Sequence, residues 1–128
     1  MKQSSLFEAI APIMIGPSSS HTAGAVRLGL LAKNIYDNPI KKVTFTLYNS
    51  YAKTGFGHGT DKGLLAGVLG FGVDDVRIKN VFDLPEAKEV EYHFEYREDF
   101  NRHPNSVDFW FEDTKQDMHI SGDSVGAG

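Results

Sequence analysis

The apolar residues of this chain follow two different periods, and the order of those periods restricts the fold more than any other feature. Two stretches in the first half, from about 21 to 36 and from 64 to 69, place apolar residues at helical spacing. Four other stretches, at 43–48, 92–96, 107–111 and 118–120, follow strand patterns, most with apolar and polar residues alternating. The order helix, strand, helix, then several strands predicts an α+β fold, with two main helices packed on one face of a largely antiparallel sheet.

The ends and faces of the two helices can also be predicted. The first should end at 37–39, where Asp, Asn and Pro follow one another. The second should begin with Thr60 or Asp61 as its N-cap and end at Gly70 and Gly72. The buried stripe of the first helix is expected at Leu28, Leu31, Ala32 and Ile35. A short helical pattern is also expected from Leu6 to Ile10, and a glycine-spaced loop from Asn49 to Asp61.

Length and composition restrict the class of protein. The chain has 128 residues, of which 41% are hydrophobic, so it can bury a core as one domain. It contains no cysteine, which excludes disulfides and thiolate-ligated metal sites built by this chain alone. The longest apolar run, at 9–15, has seven residues and includes Pro12, so we expect no membrane span, no secretory leader and a cytoplasmic location.

Charge is distributed unevenly along the chain. Residues 1–63 carry 7 Lys and Arg against 3 Asp and Glu, whereas residues 64–128 carry 6 against 14, which together give the net charge of -4. The basic half favours a small anionic ligand bound by the N-terminal segment. The overall acidity argues against a protein that binds duplex nucleic acid.

The first segment that could carry chemistry is 16–22, which reads Gly-Pro-Ser-Ser-Ser-His-Thr. It places hydroxyls and free backbone N–H groups ahead of a helix, where the helix dipole favours a carboxylate or phosphate. His21 adds a titratable group at the same point. The alternative is that Ser20 only caps the helix while the other serines form a solvated turn.

The second segment is 55–61, which reads Gly-Phe-Gly-His-Gly-Thr-Asp. It is not a dinucleotide-binding fingerprint, because Lys62 stands where a third glycine would be needed. Glycines at alternate positions allow a ligand to approach the backbone closely and leave His58 exposed. The alternative is a flexible strand-to-helix connection with an incidental histidine.

The third segment is His103-Pro104-Asn105, just before a predicted strand. Pro104 favours an extended His103, and Asn105 offers both a donor and an acceptor. In isolation these residues would be read as a turn. His93 and His119 fall within strand patterns, so they are assigned no role.

Together the three segments resemble the β chain of the iron-sulfur-dependent L-serine dehydratases (L-serine ammonia-lyases), and the resemblance covers nearly the whole chain. It is most specific in the Ser-Ser-Ser-His-Thr segment with the following Arg27 and Gly29. It implies a fold like the allosteric substrate-binding domain of D-3-phosphoglycerate dehydrogenase. It also implies a domain over 1–122, with the glycine-rich end 123–128 as the join to a missing ACT-type regulatory domain.

The resemblance further implies that the chain is half of an enzyme that converts L-serine to pyruvate and ammonia. In that family the 4Fe-4S cluster is held by the partner α chain, which agrees with the absence of cysteine here. Three histidines are expected to be catalytic: His21, His58 and His103. Eight residues are expected to bind the substrate: Ser18, Ser19, Ser20, Thr22, Gly59, Thr60, Asp61 and Asn105. No residue of this chain is expected to bind a metal.

Two other functions compete with the enzyme subunit. The first is a non-catalytic module that binds a small anion, and the second is a structural assembly domain. Histidines in all three segments favour the enzyme, because an anion sensor should depend on Lys and Arg. The expected partners are the α chain and L-serine, with a homodimer of the chain in isolation and with neither nucleic acid nor membrane. The histidines are expected to surround one cleft on one side of the sheet.

Overall fold

The computed structural model of the chain describes residues 5–8, 13–16, 20–55, 59–114 and 116–125, with backbone alone for 5–8. Six strands and four α-helices lie within these residues. The strands are β1 (Ser5–Glu8), β2 (Ile13–Ile15), β3 (Lys42–Asn49), β4 (Glu91–Arg97), β5 (Asn105–Glu112) and β6 (Gln116–Ser124). The helices are α1 (His21–Tyr36), α2 (Ser50–Gly55), α3 (Gly59–Val68) and α4 (Pro85–Lys88), with a 3₁₀ segment at Val76–Asp83. No helix among the described residues is long and apolar enough to cross a bilayer.

The six strands form one mixed sheet that is five strands wide. The strand order is β1-β6-β5-β3-β4, and β2 also pairs with β6. β3 with β5 and β5 with β6 are antiparallel pairs, whereas β1 and β2 run parallel to β6, and β4 runs parallel to β3. The sheet is therefore mixed, and the expectation of a largely antiparallel sheet was wrong.

The two faces of the sheet differ in chemistry because neighbours along a strand point to opposite sides. The face that meets the helices is apolar. In its central rows Phe45 lies opposite Phe109 and Phe109 opposite Ile120, and all three are fully buried. The other face carries polar side chains, including a row of Thr46, Asp108 and Ser121. The core thus lies between the apolar face and α1 and α3, whose buried residues belong to the same cluster, as the α+β prediction requires.

Helix α1 has the expected bounds and part of the expected buried face. It begins at His21 and ends at Tyr36, and Asp37 takes a left-handed conformation at φ 51° that stops it. Leu28 and Ala32 are fully buried as expected. Leu31 and Ile35, however, are 39% and 44% exposed, so these two members of the stripe were misassigned. Small residues take up the buried face instead, because α1 packs closely against α3.

Three further local predictions differ from the structure. Residues 5–8 form a strand paired with β6, which overrides their helical pattern, and the remainder of that pattern lies outside the described residues. Residues 50–55 form a helix within the expected glycine-spaced loop. α3 begins at Gly59, so Thr60 and Asp61 lie in its first turn and are not N-caps. Gly70, with φ 95°, ends it as expected.

Candidate active site at the start of two helices

Helices α1 and α3 cross with almost no side chain between them. Three glycines of α3 follow one another at intervals of four: Gly59, Gly63 and Gly67. A Cβ atom added to Gly63 would lie 2.6 Å from the carbonyl oxygen of Thr22, and one added to Gly67 would lie 2.8 Å from the Cα of Gly29. Only glycine permits this approach, because these distances are shorter than any van der Waals contact.

The contacts along this crossing also fix the direction of the helices. Gly59 meets Thr22, while Gly67 meets Val26 and Gly29. The positions rise together on both helices, so α1 and α3 run in parallel and begin at the same end. Two helix N-termini therefore converge at Thr22 and Gly59, where the dipoles of both helices favour an anion.

Ser20 caps α1. Its backbone is extended, at φ −157° and ψ 163°, and its Oγ accepts a hydrogen bond of 3.1 Å from the backbone N–H of Ala23. The capping interpretation is therefore correct for this serine. The cap uses Oγ as an acceptor only, and a hydroxyl also has one hydrogen to donate. The side chain is exposed, so Ser20 can cap the helix and donate a hydrogen bond to a ligand.

His21 opens the first turn of α1 and packs against α2. Its ring meets the ring of Tyr51 edge to face, with 5.5 Å between centroids. Its Nδ1 lies 3.2 Å from Oγ1 of Thr54. Tyr51 is fully buried beside Ser124, and burial raises the pKa of its phenol, an effect that the Ser124 hydroxyl partly offsets. The imidazole is thus held from one side by an aromatic ring and a hydroxyl.

Thr60 and Asp61 are both buried in the first turn of α3. The Thr60 hydroxyl turns towards α2, where its oxygen lies 3.2 Å from Oγ1 of Thr54. Oδ1 of Asp61 accepts a hydrogen bond of 2.8 Å from the backbone N–H of Lys62. Asp61 therefore brings a carboxylate, and Lys62 a cation, to the end where the two helices begin.

The segment that contains His103 is fixed to the start of α2 by Asn49. Asn49 has the left-handed φ of 55°, which asparagine tolerates better than most residues. Its Nδ2 donates to carbonyl oxygens of three residues, at 2.9 to 3.3 Å: Asp99, Arg102 and His103. The backbone N–H of Tyr51 donates to the carbonyl of Pro104. His21 and the His103 segment therefore contact the same short helix.

Asn105 and His103 form a local pair at the mouth of β5. The backbone N–H of Asn105 donates to Nδ1 of His103 at 3.0 Å. The side-chain Oδ1 of Asn105 is buried and has no hydrogen-bond partner among the described residues. A buried acceptor without a donor costs free energy, so a ligand that supplies an N–H or O–H would stabilise this position.

Two cavities flank these residues. One of about 460 Å³ opens beside Thr22 and Gly59 and is also lined by Lys62 and Lys79. A larger one of about 610 Å³ lies between α2 and the segment after β4, where Pro104 is part of its wall. The smaller cavity touches the candidate site at Thr22, Gly59 and Lys62, and its remaining walls are formed by Asp75, Lys79 and the apolar Val73, Val76 and Ile78.

Comparison with known proteins identifies the family. Residues 5–93 match the family described as "Serine dehydratase beta chain". This chain belongs to that family. All of it aligns with the "Probable L-serine dehydratase, beta chain" of Bacillus subtilis at 39% identity, and with the "L-serine dehydratase, beta chain" of Peptoniphilus asaccharolyticus at 43%. The chain spans 58% and 59% of the length of these two relatives.

The serine dehydratase match also extends in part to a longer protein. Over 78 residues the chain is 37% identical to "L-serine dehydratase 2" of Escherichia coli, which covers 56% of this chain and 17% of that protein. The resemblance read from the three segments is therefore confirmed at the level of the family.

Eight of the eleven expected site residues lie within the part of the chain that the structure describes. Ser20, His21, Thr22 and Gly59 meet at the two helix starts, with Thr60 and Asp61 one turn into α3. His103 and Asn105 lie in the segment that is bonded to the start of α2. Ser18, Ser19 and His58 lie outside the described residues, so the cleft expected around all three histidines remains a prediction.

Several residues that position the candidate site in the structure were not predicted from the sequence. They are Asn49, Tyr51, Thr54 and the glycines Gly63 and Gly67. The four-residue spacing of the glycines was a readable signal for close helix packing. Thr54 was harder to predict, because the helix that carries Ser50 and Thr54 was expected to be a loop.

The described residues do not fit a metal cluster. They contain no group of three or more His, Cys, Asp or Glu side chains arranged to hold a metal ion, and the full sequence contains no cysteine. Thiolates are the usual ligands of iron-sulfur clusters.

Proposed function

We propose that this chain is the catalytic β-chain domain of an L-serine ammonia-lyase, which removes the Cα proton and the β-hydroxyl of L-serine and yields pyruvate and ammonia by way of aminoacrylate. In this proposal the partner α chain holds the 4Fe-4S cluster. The observation that carries the proposal is the convergence of two parallel helix N-termini on Thr22 and Gly59, with His21 in the first turn.

The arrangement suits the two charges of an amino acid. The helix starts, the Ser20 hydroxyl and Lys62 favour a carboxylate, while the Asp61 carboxylate favours an ammonium group. The cavity of about 460 Å³ beside Thr22, Gly59 and Lys62 has room for a molecule as small as serine, and the acidic residue in its own wall is Asp75. This chain would therefore bind and orient the substrate between positive and negative groups.

His21 is the described group best placed to move a proton at neutral pH, since imidazole is suited to general acid and base catalysis. It stands at the helix start, next to Thr22, which meets Gly59 across the crossing. His103 is the second candidate, connected through α2. His58 remains a predicted third member.

The test is reconstitution. This chain should be mixed anaerobically with a cysteine-containing α chain, and serine-dependent pyruvate should be measured. We expect pyruvate from the mixture and none from either chain alone. Pyruvate from this chain alone would contradict the division of labour. Tight binding of a small carboxylate with no turnover in the mixture would instead favour the anion-binding module.

Three further expectations, on assembly, fold likeness and a neighbouring domain, belong to the same proposal. In the absence of the α chain we expect a homodimer, which sedimentation equilibrium would detect, while a monomer at all concentrations would contradict it. We also propose that the fold of this chain is like the substrate-binding domain of D-3-phosphoglycerate dehydrogenase, and that 123–128 form the junction with an ACT-type domain.

A further inference from the structure

The Thr54 hydroxyl lies at the centre of three hydrogen-bond contacts. Its Oγ1 is 2.9 Å from the carbonyl oxygen of Ser50, 3.2 Å from Nδ1 of His21 and 3.2 Å from Oγ1 of Thr60. A threonine hydroxyl has one hydrogen to donate and two lone pairs with which to accept. The three contacts therefore match its full hydrogen-bonding capacity.

The carbonyl oxygen of Ser50 determines which partner donates in each of the three hydrogen bonds. The oxygen of Ser50 can only accept, so the hydrogen of the Thr54 hydroxyl points there, in the bond to the residue four positions earlier that Thr makes on helices. That contact is also the shortest of the three. Thr54 Oγ1 must then accept from both other partners, Thr60 Oγ1–H and His21 Nδ1–H.

We propose that Thr54 is a positioning residue that holds neutral His21 in the tautomer with its hydrogen on Nδ1. A neutral imidazole carries only one N–H group. Nε2 of His21 is then left with a lone pair and becomes the basic nitrogen of the ring. The edge-on contact with Tyr51 restrains the same ring from another side.

His103 is held in the opposite tautomer. A backbone N–H can only donate, so Nδ1 of His103 accepts from Asn105 and the hydrogen of the neutral ring is on Nε2. His21 thus offers Nε2 as an acceptor, whereas His103 offers Nε2–H as a donor. If the proposed lyase function holds, on which this catalytic reading rests, His21 is the base and His103 donates a hydrogen bond or a proton.

Ring-nitrogen NMR of the ¹⁵N-labelled full chain tests the tautomers without the α chain. Spectra should be recorded at a pH high enough for the imidazoles to be neutral. We expect an Nδ1–H signature for His21 and an Nε2–H signature for His103. Thr54→Val should shift the His21 signals towards the other tautomer and leave those of His103 unchanged, and Thr54→Ser should retain the wild-type pattern. Thr44→Val, on the opposite face of the sheet, is the matched control.

Each result decides the proposal. Nε2–H on His21 in the wild-type chain would overturn it, as would a His21 spectrum that Thr54→Val leaves unchanged. If Thr54→Val does not fold, the wild-type and Thr54→Ser spectra still decide, because both must show Nδ1–H.

Kinetics of the reconstituted enzyme separate this proposal from the proposed function. Thr54→Val should lower kcat about 10- to 100-fold with little change in KM, by analogy with the loss of residues that orient metal-bound imidazoles, and Thr54→Ser should restore it. The expected spectra together with an unchanged kcat would support the tautomer assignment and show instead that His21 is not the base.

Discussion

Ser20 combines two functions at the start of α1, since its oxygen caps the helix while its hydroxyl hydrogen can be donated to a ligand. Ser20→Ala removes both. We expect it to lower the free energy of unfolding by about 1 kcal/mol. It should also raise KM for serine about 10- to 100-fold, because a hydrogen bond to a charged group contributes about 1.5–3 kcal/mol. Urea unfolding and steady-state kinetics of the reconstituted enzyme measure the two effects.

Ser20→Asp is the matched variant that separates these functions. Aspartate caps helices as well as serine does, so stability should remain near the wild-type value. Its negative charge should repel a bound carboxylate, and KM should rise at least as far as in Ser20→Ala. If Ser20→Ala loses stability but KM stays the same, Ser20 is a cap and nothing more.

His21 is proposed to move a proton, so its replacement should affect the rate more than binding. His21→Gln should lower kcat by about 10² to 10⁴. It should also remove one limb of the profile of kcat against pH, because the group that titrates is gone. His93→Gln is the control, since His93 is exposed and bonded to Glu91 on the polar face of the sheet. Near-normal kcat in His21→Gln would assign proton transfer to another group.

The close crossing of α1 and α3 brings the starts of the two helices together. Gly67→Ala would place a methyl group against the Val26 carbonyl and the Gly29 backbone. We expect it to lower the free energy of unfolding by about 1–3 kcal/mol through overpacking, although alanine favours a helix by about 1 kcal/mol. Gly72→Ala is the control, because apart from its chain neighbours no atom of the described residues lies within 4 Å of the added Cβ. Equal urea midpoints for the two variants would contradict the close crossing.

The elements differ in how far the sequence alone could predict them. α1 could be placed from His21 to Tyr36 because a serine cap and the Asp-Asn-Pro sequence mark its ends. The buried face of α1 could not be predicted, because hydrophobic periodicity gives no weight to the glycines that line its contact with α3. The strand at 5–8 was also out of reach, because it depends on a parallel partner more than a hundred residues away. The motifs identified the family, but only the fold shows that His21 and the His103 segment both contact α2.

At the scale of the whole molecule, the polar face of the sheet depends on one buried carboxylate. Asp108 accepts hydrogen bonds from Arg102 through both guanidinium NH groups, at 2.8 and 3.0 Å, and from Tyr48 and Ser121. Burial by itself would raise the pKa of Asp108. The hydrogen bonds and charge of Arg102, with the hydroxyls of Ser121 and Tyr48, outweigh burial and hold this pKa below its ordinary value. The network joins β3, β5 and β6 with the loop that holds His103.

The lowered pKa of Asp108 makes the stability of the whole fold sensitive to acid. A carboxyl group whose pKa is lower in the folded state contributes stability above its unfolded pKa of about 3.9, and this contribution is lost as the pH falls through the folded value.

Asp108→Asn should therefore lower the free energy of unfolding at neutral pH, by about 1.5–3 kcal/mol for charged hydrogen bonds. The difference from wild type should shrink below about pH 4. Nε2 of His119 also lies 3.5 Å from this carboxylate. Asp83→Asn, at an exposed position, is the control. Urea unfolding from pH 2.5 to 8, in about half-unit steps, would contradict this account if the wild-type and Asp108→Asn curves stayed parallel throughout.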